Sequence, residues 1–323
     1  MIVSALDRML ASRRDLIAAT AGAAAVSLFG ARSANAALAT PDFGSGFDPM
    51  KAEHNTLAFC KLLADTRDNS VTCGYFKGQV LAYVGPSKAL QPLFGYEGFG
   101  LTTVKYVGEY HWQKLHKEVS YYTDLKTGAI LDSWENVLSG EKVEVLPVYN
   151  DPVNSNWAPT YSFGVGDKKV TYPFLFPWFM GDDTAVVDFG VNTTTNAVLM
   201  PDKWPRESHG PITQVYEAIQ VHARLSELTD PSRTSVYASG SWQRIAPYLP
   251  WMLMGQAPGH LVYKTTTRKL KNGVDGLPKN VRDYTAKRFP KYLEPLREWV
   301  GSNVSSFEVY ARDRKPAPEK PQG

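Results

Sequence analysis

The chain has 323 residues, with 35 Lys and Arg, 32 Asp and Glu, and a formal net charge of +3. This nearly balanced charge argues against nucleic acid or anionic lipid as a partner, because both select a basic excess. The length is sufficient to bury a sizeable core in one large domain.

The first 36 residues have the pattern of a twin-arginine signal peptide. Arg13 and Arg14 are followed by an alanine-rich apolar run at 18–29 and by the small-x-small site Ala34-Asn35-Ala36. That run is shorter than the ~20 residues that span a bilayer, so it fits a signal better than a membrane helix. We predict export to the periplasm by the twin-arginine machinery. The mature chain would begin near Ala37 with 31 basic and 30 acidic residues.

The mature chain shows no linker rich in Ser, Gly or charge before residue 314. We therefore expect one domain over 37–313 and a polar, disordered tail over 314–323. A helix is predicted at 47–65, with Asp48 and Pro49 at its start, and another at 278–292. Cys60 and Cys73 leave two alternatives open, a disulfide in an oxidising compartment or two buried thiols.

From residue 71 onward, runs rich in Val, Tyr, Leu and Trp alternate with Gly, Asp and Asn, which is typical of strands and turns. The predicted strands are 75–84, 101–110, 112–122, 130–135, 143–149, 161–174, 184–189, 197–200, 213–228, 234–245, 260–267 and 306–312. Residues 124–128 and 136–140 begin with Asp or Asn and end with Gly, which predicts tight hairpin loops. The first loop would bring Tyr122 near Ile130, and the second Trp134 near Lys142.

Ten or more strands with short loops can hide their edges by closing into a barrel. We therefore expect a mainly β protein, a large antiparallel barrel of the calycin or lipocalin kind with a few peripheral helices. Barrels of this size can enclose a ligand cavity. A β-sandwich is the alternative.

A set of distinctive segments extends along most of the mature chain: 117–128, 134–136, 139–141, 143–145, 150–154, 242–244, 250–255, 258–263 and 269–270. Together these segments resemble the domain of unknown function 1838 family. The segment Asn150-Asp151-Pro152-Val153-Asn154 is the most specific. At one position where that family often has a histidine, this chain has Pro147. The resemblance implies a barrel and an export signal, and it implies little about chemistry.

The motifs of the common nucleotide enzymes and serine hydrolases do not occur. The chain has no Gly-x-Gly-x-x-Gly, no Walker loop and no Gly-x-Ser-x-Gly. Two distant cysteines and six scattered histidines provide no clustered ligands, and His111 and His116 would fall on opposite faces of a strand. We predict neither a metal nor a cofactor.

Aromatic and titratable side chains share one face of the predicted strand 112–122 and its neighbour. They are Trp112, Lys114, His116, Glu118 and Tyr122, followed by Asp132 and Trp134 on the next strand. Such a face either lines a wet cavity or forms the solvated outside of the sheet. In the cavity interpretation, Lys114, His116, Tyr122 and Asp132 are the candidate catalytic residues, and Trp112, Glu118 and Trp134 contact the substrate.

Four residues elsewhere are further candidates for substrate binding. Asn150 and Asp151 precede a proline, so they form either a rigid turn or a loop that holds a ligand. Tyr161 follows in the next strand region. Arg244 has apolar neighbours, and a buried arginine needs a carboxylate or an anionic ligand.

Two classes of function remain. One is a cofactor-independent enzyme, a lyase that removes a proton from a small aromatic or phenolic compound, such as one of the lignin type, and drives elimination or retro-aldol cleavage. The other is a periplasmic protein that binds a hydrophobic small molecule without changing it. A titratable pair with displaced pKa values inside the cavity would favour the enzyme. The sequence also leaves a homo-oligomer open.

Overall fold

The computed structural model describes residues 41–85, 89–150, 153–165, 168–299 and 304–318. The signal peptide predicted over 1–36 lies outside the described residues. The strands are β1 (Val71–Tyr83), β2 (Leu90–Gly108), β3 (His111–Thr123), β4 (Ser133–Asn136), β5 (Glu141–Glu144), β6 (Val148–Asn150), β7 (Ser155–Trp157), β8 (Thr160–Val165), β9 (Lys168–Pro173), β10 (Trp178–Gly181), β11 (Thr184–Asn196), β12 (Ile212–Arg224), β13 (Ser239–Ala246) and β14 (His260–Leu270). The α-helices are α1 (Ala52–Leu63), α2 (Leu225–Thr229), α3 (Lys279–Arg288) and α4 (Ser306–Asp313).

Ten of these strands form one antiparallel sheet. Its order is β10-β11-β12-β13-β14-β1-β2-β3-β6, and β7 pairs with β3 on the same edge as β6. Two small hairpins, β4-β5 and β8-β9, stand apart from it. The prediction of a mainly β protein with a large antiparallel sheet is confirmed. The hydrogen bonds of the described strands do not close the sheet into a barrel, and the β-sandwich alternative is compatible with this topology.

Helix α1 shows that the sheet is curved. Its apolar residues, among them Phe59, share one core cluster with Val104 and Trp112 of β2 and β3 and with Val187 and Val221 of β11 and β12. Phe59 itself packs against Trp157 of β7 at 5.4 Å and against Phe189 of β11 at 5.3 Å, although six strands separate β7 from β11 in the sheet. One side chain can contact both only if the sheet bends, so α1 lies on its concave side.

The two predicted hairpin loops form. Gly128 donates to the carbonyl of Asp124 at 2.9 Å with φ of 71°, and Leu131 donates to the carbonyl of Tyr122 at 2.9 Å. The Asn136 loop closes in the same way, with a 2.7 Å bond from Gly140. In that hairpin Trp134 is paired with Val143, one residue from the expected Lys142. The residue types in the loops were therefore sufficient to predict both turns. The register of the β4-β5 hairpin also depended on the two strands.

Two predicted strands are wrong. Residues 306–312 form helix α4, which begins with a capping box between Ser305 and Glu308 that the strand interpretation overlooked. Residues 197–200 form no strand; Ala197 donates to the carbonyl of Pro211, and Lys203 to that of Met200, in a turn. Short apolar runs do not distinguish strands from helices or loops by periodicity alone.

The described residues after α4 contact the body of the protein. Arg314 forms an ion pair with Glu144 at 2.8 Å, Ala317 donates to a Glu207 oxygen at 2.6 Å, and the carbonyl of Pro318 accepts from Arg206 at 2.9 Å. Polar composition predicts a disordered tail over 314–323. The contacts of residues 314, 317 and 318 are made to partners about 110 to 170 residues away, which composition does not reveal.

Cys60 in α1 and Cys73 in β1 are separate free thiols, and both are buried. Burial raises the pKa of Cys73 to about 12 and that of Cys60 well above its ordinary value. Both thiols are therefore neutral at physiological pH and act as small apolar side chains. No helix within the described residues is long and apolar enough to cross a bilayer.

Candidate active site in the concave face of the sheet

The concave face of the sheet holds a cavity of about 310 Å³. That volume is at the lower end of the range for small-molecule sites. Strand β3 contributes Lys114, His116, Glu118 and Tyr122 to its wall. Because successive side chains of a strand point to opposite faces, these even-numbered residues lie on one side together. The alternation predicted this grouping, and the curvature of the sheet turns it inward.

Cross-strand register places a partner beside His116. Thr102 of β2 is paired with His116, and its Oγ1 lies 2.8 Å from His116 Nδ1. On the other side of the ring, Nε2 lies 3.7 Å from Glu118 Oε2. The His116 side chain is 15% exposed and that of Glu118 is 29% exposed. The hydroxyl thus orients the imidazole at the cavity wall, and the carboxylate beside Nε2 stabilises the ring once that nitrogen has taken a proton, which suits a general base.

Two paired glycines make room for this ring and for a ligand. A Cβ at Gly100 would lie 2.3 Å from His116 Cε1, so any side chain there would displace the imidazole. Gly74 of β1 is paired with Gly100, and a Cβ at Gly74 would meet no atom within 4 Å. The floor of the cavity beside His116 is therefore bare backbone.

Lys269 of β14 is paired with Gly74 and reaches the cavity from the opposite side to β3. Its Nζ donates to the carbonyls of Lys61 and Ala64 at the end of α1, at 2.6 and 2.7 Å, and to Ser235 Oγ at 2.9 Å. Burial lowers the pKa of Lys269 to about 7, although Cys60 and Asp65 oppose the shift. Three oxygen acceptors hold this amine, so it joins α1 to the sheet.

Aromatic rings form the next part of the wall. Tyr96 stacks with Phe76 at 5.5 Å and with Trp242 at 6.0 Å, and it meets Tyr263 edge-on at 5.2 Å. Tyr122 lies against Tyr96 at 5.4 Å. These five side chains, which we call the aromatic cluster, offer flat apolar surface to a ring-shaped ligand.

Arg244 of β13 lies beside the aromatic cluster. Its Nη1 is 3.5 Å from Glu217 Oε1 on β12, and the Glu217 side chain is only 7% exposed. Burial disfavours the charge on Arg244, but Glu217 and the neighbouring phenols outweigh this effect, and the pKa of Arg244 is raised. The cavity therefore contains a permanent cation next to a buried carboxylate.

The other predicted site residues lie elsewhere. Trp112 shares a strand face with His116, but it is fully buried and donates to the carbonyl of Thr66 at 3.3 Å. Trp134 packs against Phe94 and Trp251, and Tyr161 stacks on Tyr172 in the β8-β9 hairpin.

Asp132 does not line the cavity either. It is 65% exposed, accepts a 2.7 Å hydrogen bond from the Tyr284 hydroxyl and lies 3.9 Å from Arg288. The physical reason is that the chain leaves the large sheet after β3, so β4 does not continue the concave face. The backbone of Asn150 is paired with that of Glu118, and Asp151 lies outside the described residues.

The sequence interpretation missed Thr102, Gly74, Gly100 and Glu217. One signal was present for Glu217, because it interrupts the apolar alternation of Val215, Ile219 and Val221. A carboxylate on the apolar face of a strand is rarely buried without a partner. The partner, Arg244, comes from the adjacent strand.

No group of three or more His, Cys, Asp or Glu side chains among the described residues is arranged to hold a metal ion. Comparison with curated proteins finds no match. Residues 70–314 match the model of a family described as "Protein of unknown function (DUF1838)". Because the match covers most of the chain, this protein belongs to the DUF1838 family.

Proposed function

We propose that the protein is a cofactor-independent enzyme that acts on a small aromatic or phenolic compound by acid–base chemistry, and that it is a lyase. The observation that carries the proposal is the oriented imidazole of His116, held between Thr102 and Glu118 at the wall of a cavity lined with aromatic rings. In this proposal the curved sheet is an incomplete barrel around the ligand.

The proposed chemistry needs only a proton acceptor and an oriented substrate. The ring of the substrate lies against Tyr96 and Trp242, and a hydroxyl on its side chain faces His116 Nε2. His116 removes the hydroxyl proton, the oxygen forms a carbonyl, and the adjacent carbon–carbon bond breaks. The electron pair passes to the carbon next to the ring or to an electron-accepting group beyond it, and the histidinium returns the proton there. A small carbonyl fragment is released, and no net oxidation occurs.

The same groups support elimination. His116 then removes a proton from carbon, the bond between the neighbouring carbon and its oxygen substituent breaks, and the ammonium of Lys114 protonates the departing oxygen. Lys114 lies on the same face of β3, with Nζ 5.7 Å from the centre of the Trp157 ring. The elimination therefore uses a base and an acid on one strand, whereas the first reaction uses His116 in both roles.

The test uses the purified mature protein and a panel of phenolic compounds with hydroxylated side chains. Mass spectrometry follows release of the small fragment. We expect His116→Ala to lower turnover by about 100-fold or more, within the usual range for loss of a general base. His111→Ala is the matched control, because His111 lies on the opposite face of β3 beside Asn156.

Equal losses in both histidine variants would contradict the proposal. Binding of several panel members without conversion of any would indicate the alternative, a binding protein for hydrophobic small molecules.

We further propose that the protein acts in the periplasm after twin-arginine export, which the Arg13-Arg14 signature and the apolar run after it support. Replacement of both arginines by Lys should leave uncleaved precursor in the cytoplasm. Mature protein at the normal periplasmic level in that double variant would contradict this proposal.

A further inference from the structure

Arg244 is rich in unused hydrogen-bond donors. Its guanidinium carries five N–H groups, and its side chain is 22% exposed. Its contact with Glu217 is an ion pair at 3.5 Å, longer than a good charge-assisted hydrogen bond. Nε is buried and makes no hydrogen bond with any described residue. The part of the guanidinium that is exposed lines the cavity, so it fits a ligand that brings acceptor oxygens.

Three phenols beside Arg244 add further donors. Burial raises the pKa values of Tyr122, Tyr263 and Tyr96, so all three hydroxyls keep their protons at neutral pH. The Tyr122 and Tyr263 oxygens are 3.4 Å apart, so only one of them can donate to the other. Tyr96 already accepts a 2.6 Å bond from Ser120. This end of the cavity therefore offers several O–H and N–H donors.

The charge at this end disfavours a dianion. Glu217 already balances the charge of Arg244, so a monoanion adds one uncompensated negative charge in a partly buried place, and a doubly charged group adds two. A carboxylate carries one charge and presents two acceptor oxygens in the plane that an arginine fork matches.

Tyr96 is influenced by charged groups both at the Arg244 end of the cavity and beside the proposed base, His116. Burial makes the largest contribution to the raised pKa of Tyr96, Glu118 raises this pKa further, and Arg244 lowers it. The Tyr96 hydroxyl therefore lies within the electric field of both Glu118 and Arg244. Along β3, Tyr122 and Glu118 are four residues apart, which is roughly 13 Å at the usual rise of a strand. The aromatic cluster lines the cavity that both His116 and Arg244 reach. In this proposal, a ring bound against the cluster has Arg244 at one end and His116 at the other.

We infer that the substrate is an aromatic carboxylic acid whose carboxylate binds Arg244, Tyr122 and Tyr263, with its reacting side chain on the opposite side of the ring near His116. This inference rests on the proposed function and names its substrate class. Arg244 is a substrate-binding residue in this assignment, and Glu217 balances the charge of its guanidinium in the absence of substrate.

The test compares three probes that share one ring: 4-hydroxybenzoate, 4-hydroxybenzamide and methyl 4-hydroxybenzoate. Isothermal titration calorimetry measures their affinity for the mature protein. Hydrogen bonds to a charged group contribute enough for the acid to bind about 10- to 100-fold more tightly than the amide or ester. Arg244→Gln alone would remove the cation beside the buried carboxylate of Glu217, so this change is combined with Glu217→Gln.

The double variant should lose the preference for the acid and keep its affinity for the amide. Glu217→Gln alone should strengthen binding of the acid, because it removes a negative charge and retains the guanidinium. The matched control is Arg224→Gln at the end of β12, an exposed arginine outside the cavity wall, which should leave all three affinities unchanged.

Equal affinity of the wild-type protein for acid and amide overturns the inference, as does a preference that survives in the double variant or failure of all three probes to bind. Affinity is measured without turnover, so the two proposals can fail separately. A carboxylate preference without any conversion contradicts only the proposed enzyme. Turnover of neutral phenols without a carboxylate preference contradicts only this inference.

Discussion

Gly74→Val tests whether the space beside His116 is the ligand site. A Cβ at Gly74 would meet no atom within 4 Å, so the larger side chain should occupy the cavity without displacing the protein. Glycine inside a strand costs roughly 0.5–1 kcal/mol relative to alanine, and valine suits a strand well. We therefore expect the free energy of unfolding to stay equal or to rise by up to about 1 kcal/mol.

In Gly74→Val the new side chain should occupy the part of the cavity that the ligand uses in the wild-type protein. Affinity for a phenolic ligand that binds the wild-type protein should fall at least about tenfold, or 1.4 kcal/mol. Urea unfolding followed by circular dichroism gives the stability, and calorimetric titration gives the affinity.

Gly98→Val is the matched control on the same face of the sheet. Its Cβ would lie 2.5 Å from both Ser120 Cβ and the carbonyl oxygen of Val119, so this variant should unfold more easily by about 1–3 kcal/mol. Wild-type affinity in Gly74→Val would refute the location of the site. A stability loss as large as that of Gly98→Val would refute the reasoning from free space.

Two further predictions concern His116 and Lys269. Thr102→Val removes the hydroxyl 2.8 Å from His116 Nδ1, so it should lower turnover about tenfold and change the pH profile. Thr102→Ser keeps the hydroxyl and should keep turnover and pH profile near those of the wild type. Equal effects of the two substitutions would contradict a positioning role for Thr102. The pKa of Lys269 falls from 10.5 in the unfolded chain to about 7 in the folded protein. Between pH 7 and pH 10.5 the unfolded chain therefore binds more protons than the folded protein. The contribution of Lys269 to the free energy of unfolding consequently rises with pH across this range. Urea unfolding at pH 6 and pH 9 should therefore show a larger increase for the wild-type protein than for Lys269→Met, and identical increases would contradict the lowered pKa.

Local sequence patterns were sufficient to predict much of the sheet. Strand β3 was predicted within one residue at each end, because its turn signals and its run of β-branched and aromatic residues agree. The same period of two placed Lys114, His116, Glu118 and Tyr122 on one face. Their roles stay predictions. Strand alternation is a property of the backbone, so it can be inferred without knowing the fold.

Local patterns failed where distant partners decide the outcome. Helix α4 is amphipathic and capped, but its seven predicted residues were too few to separate a helix from a strand. Asp132 follows a predicted hairpin, and nothing in its vicinity indicates that the chain leaves the large sheet there. Whether a side chain near a strand end faces a cavity depends on the path of the next segment, which is set by tertiary packing.

The sequence by itself determined the strands, their faces and the tight loops, because these follow from backbone geometry and from residues a few positions apart. Only the tertiary structure decided which face is concave. The concave face is the one on which α1 packs against β2-β3 and β11-β12 together. The bend brings Arg244 and Glu217 to the same cavity as His116, although about 100 or more residues separate them along the chain. A site formed by curvature has no local signature, since the energy that bends the sheet comes from burial of apolar surface across the whole domain.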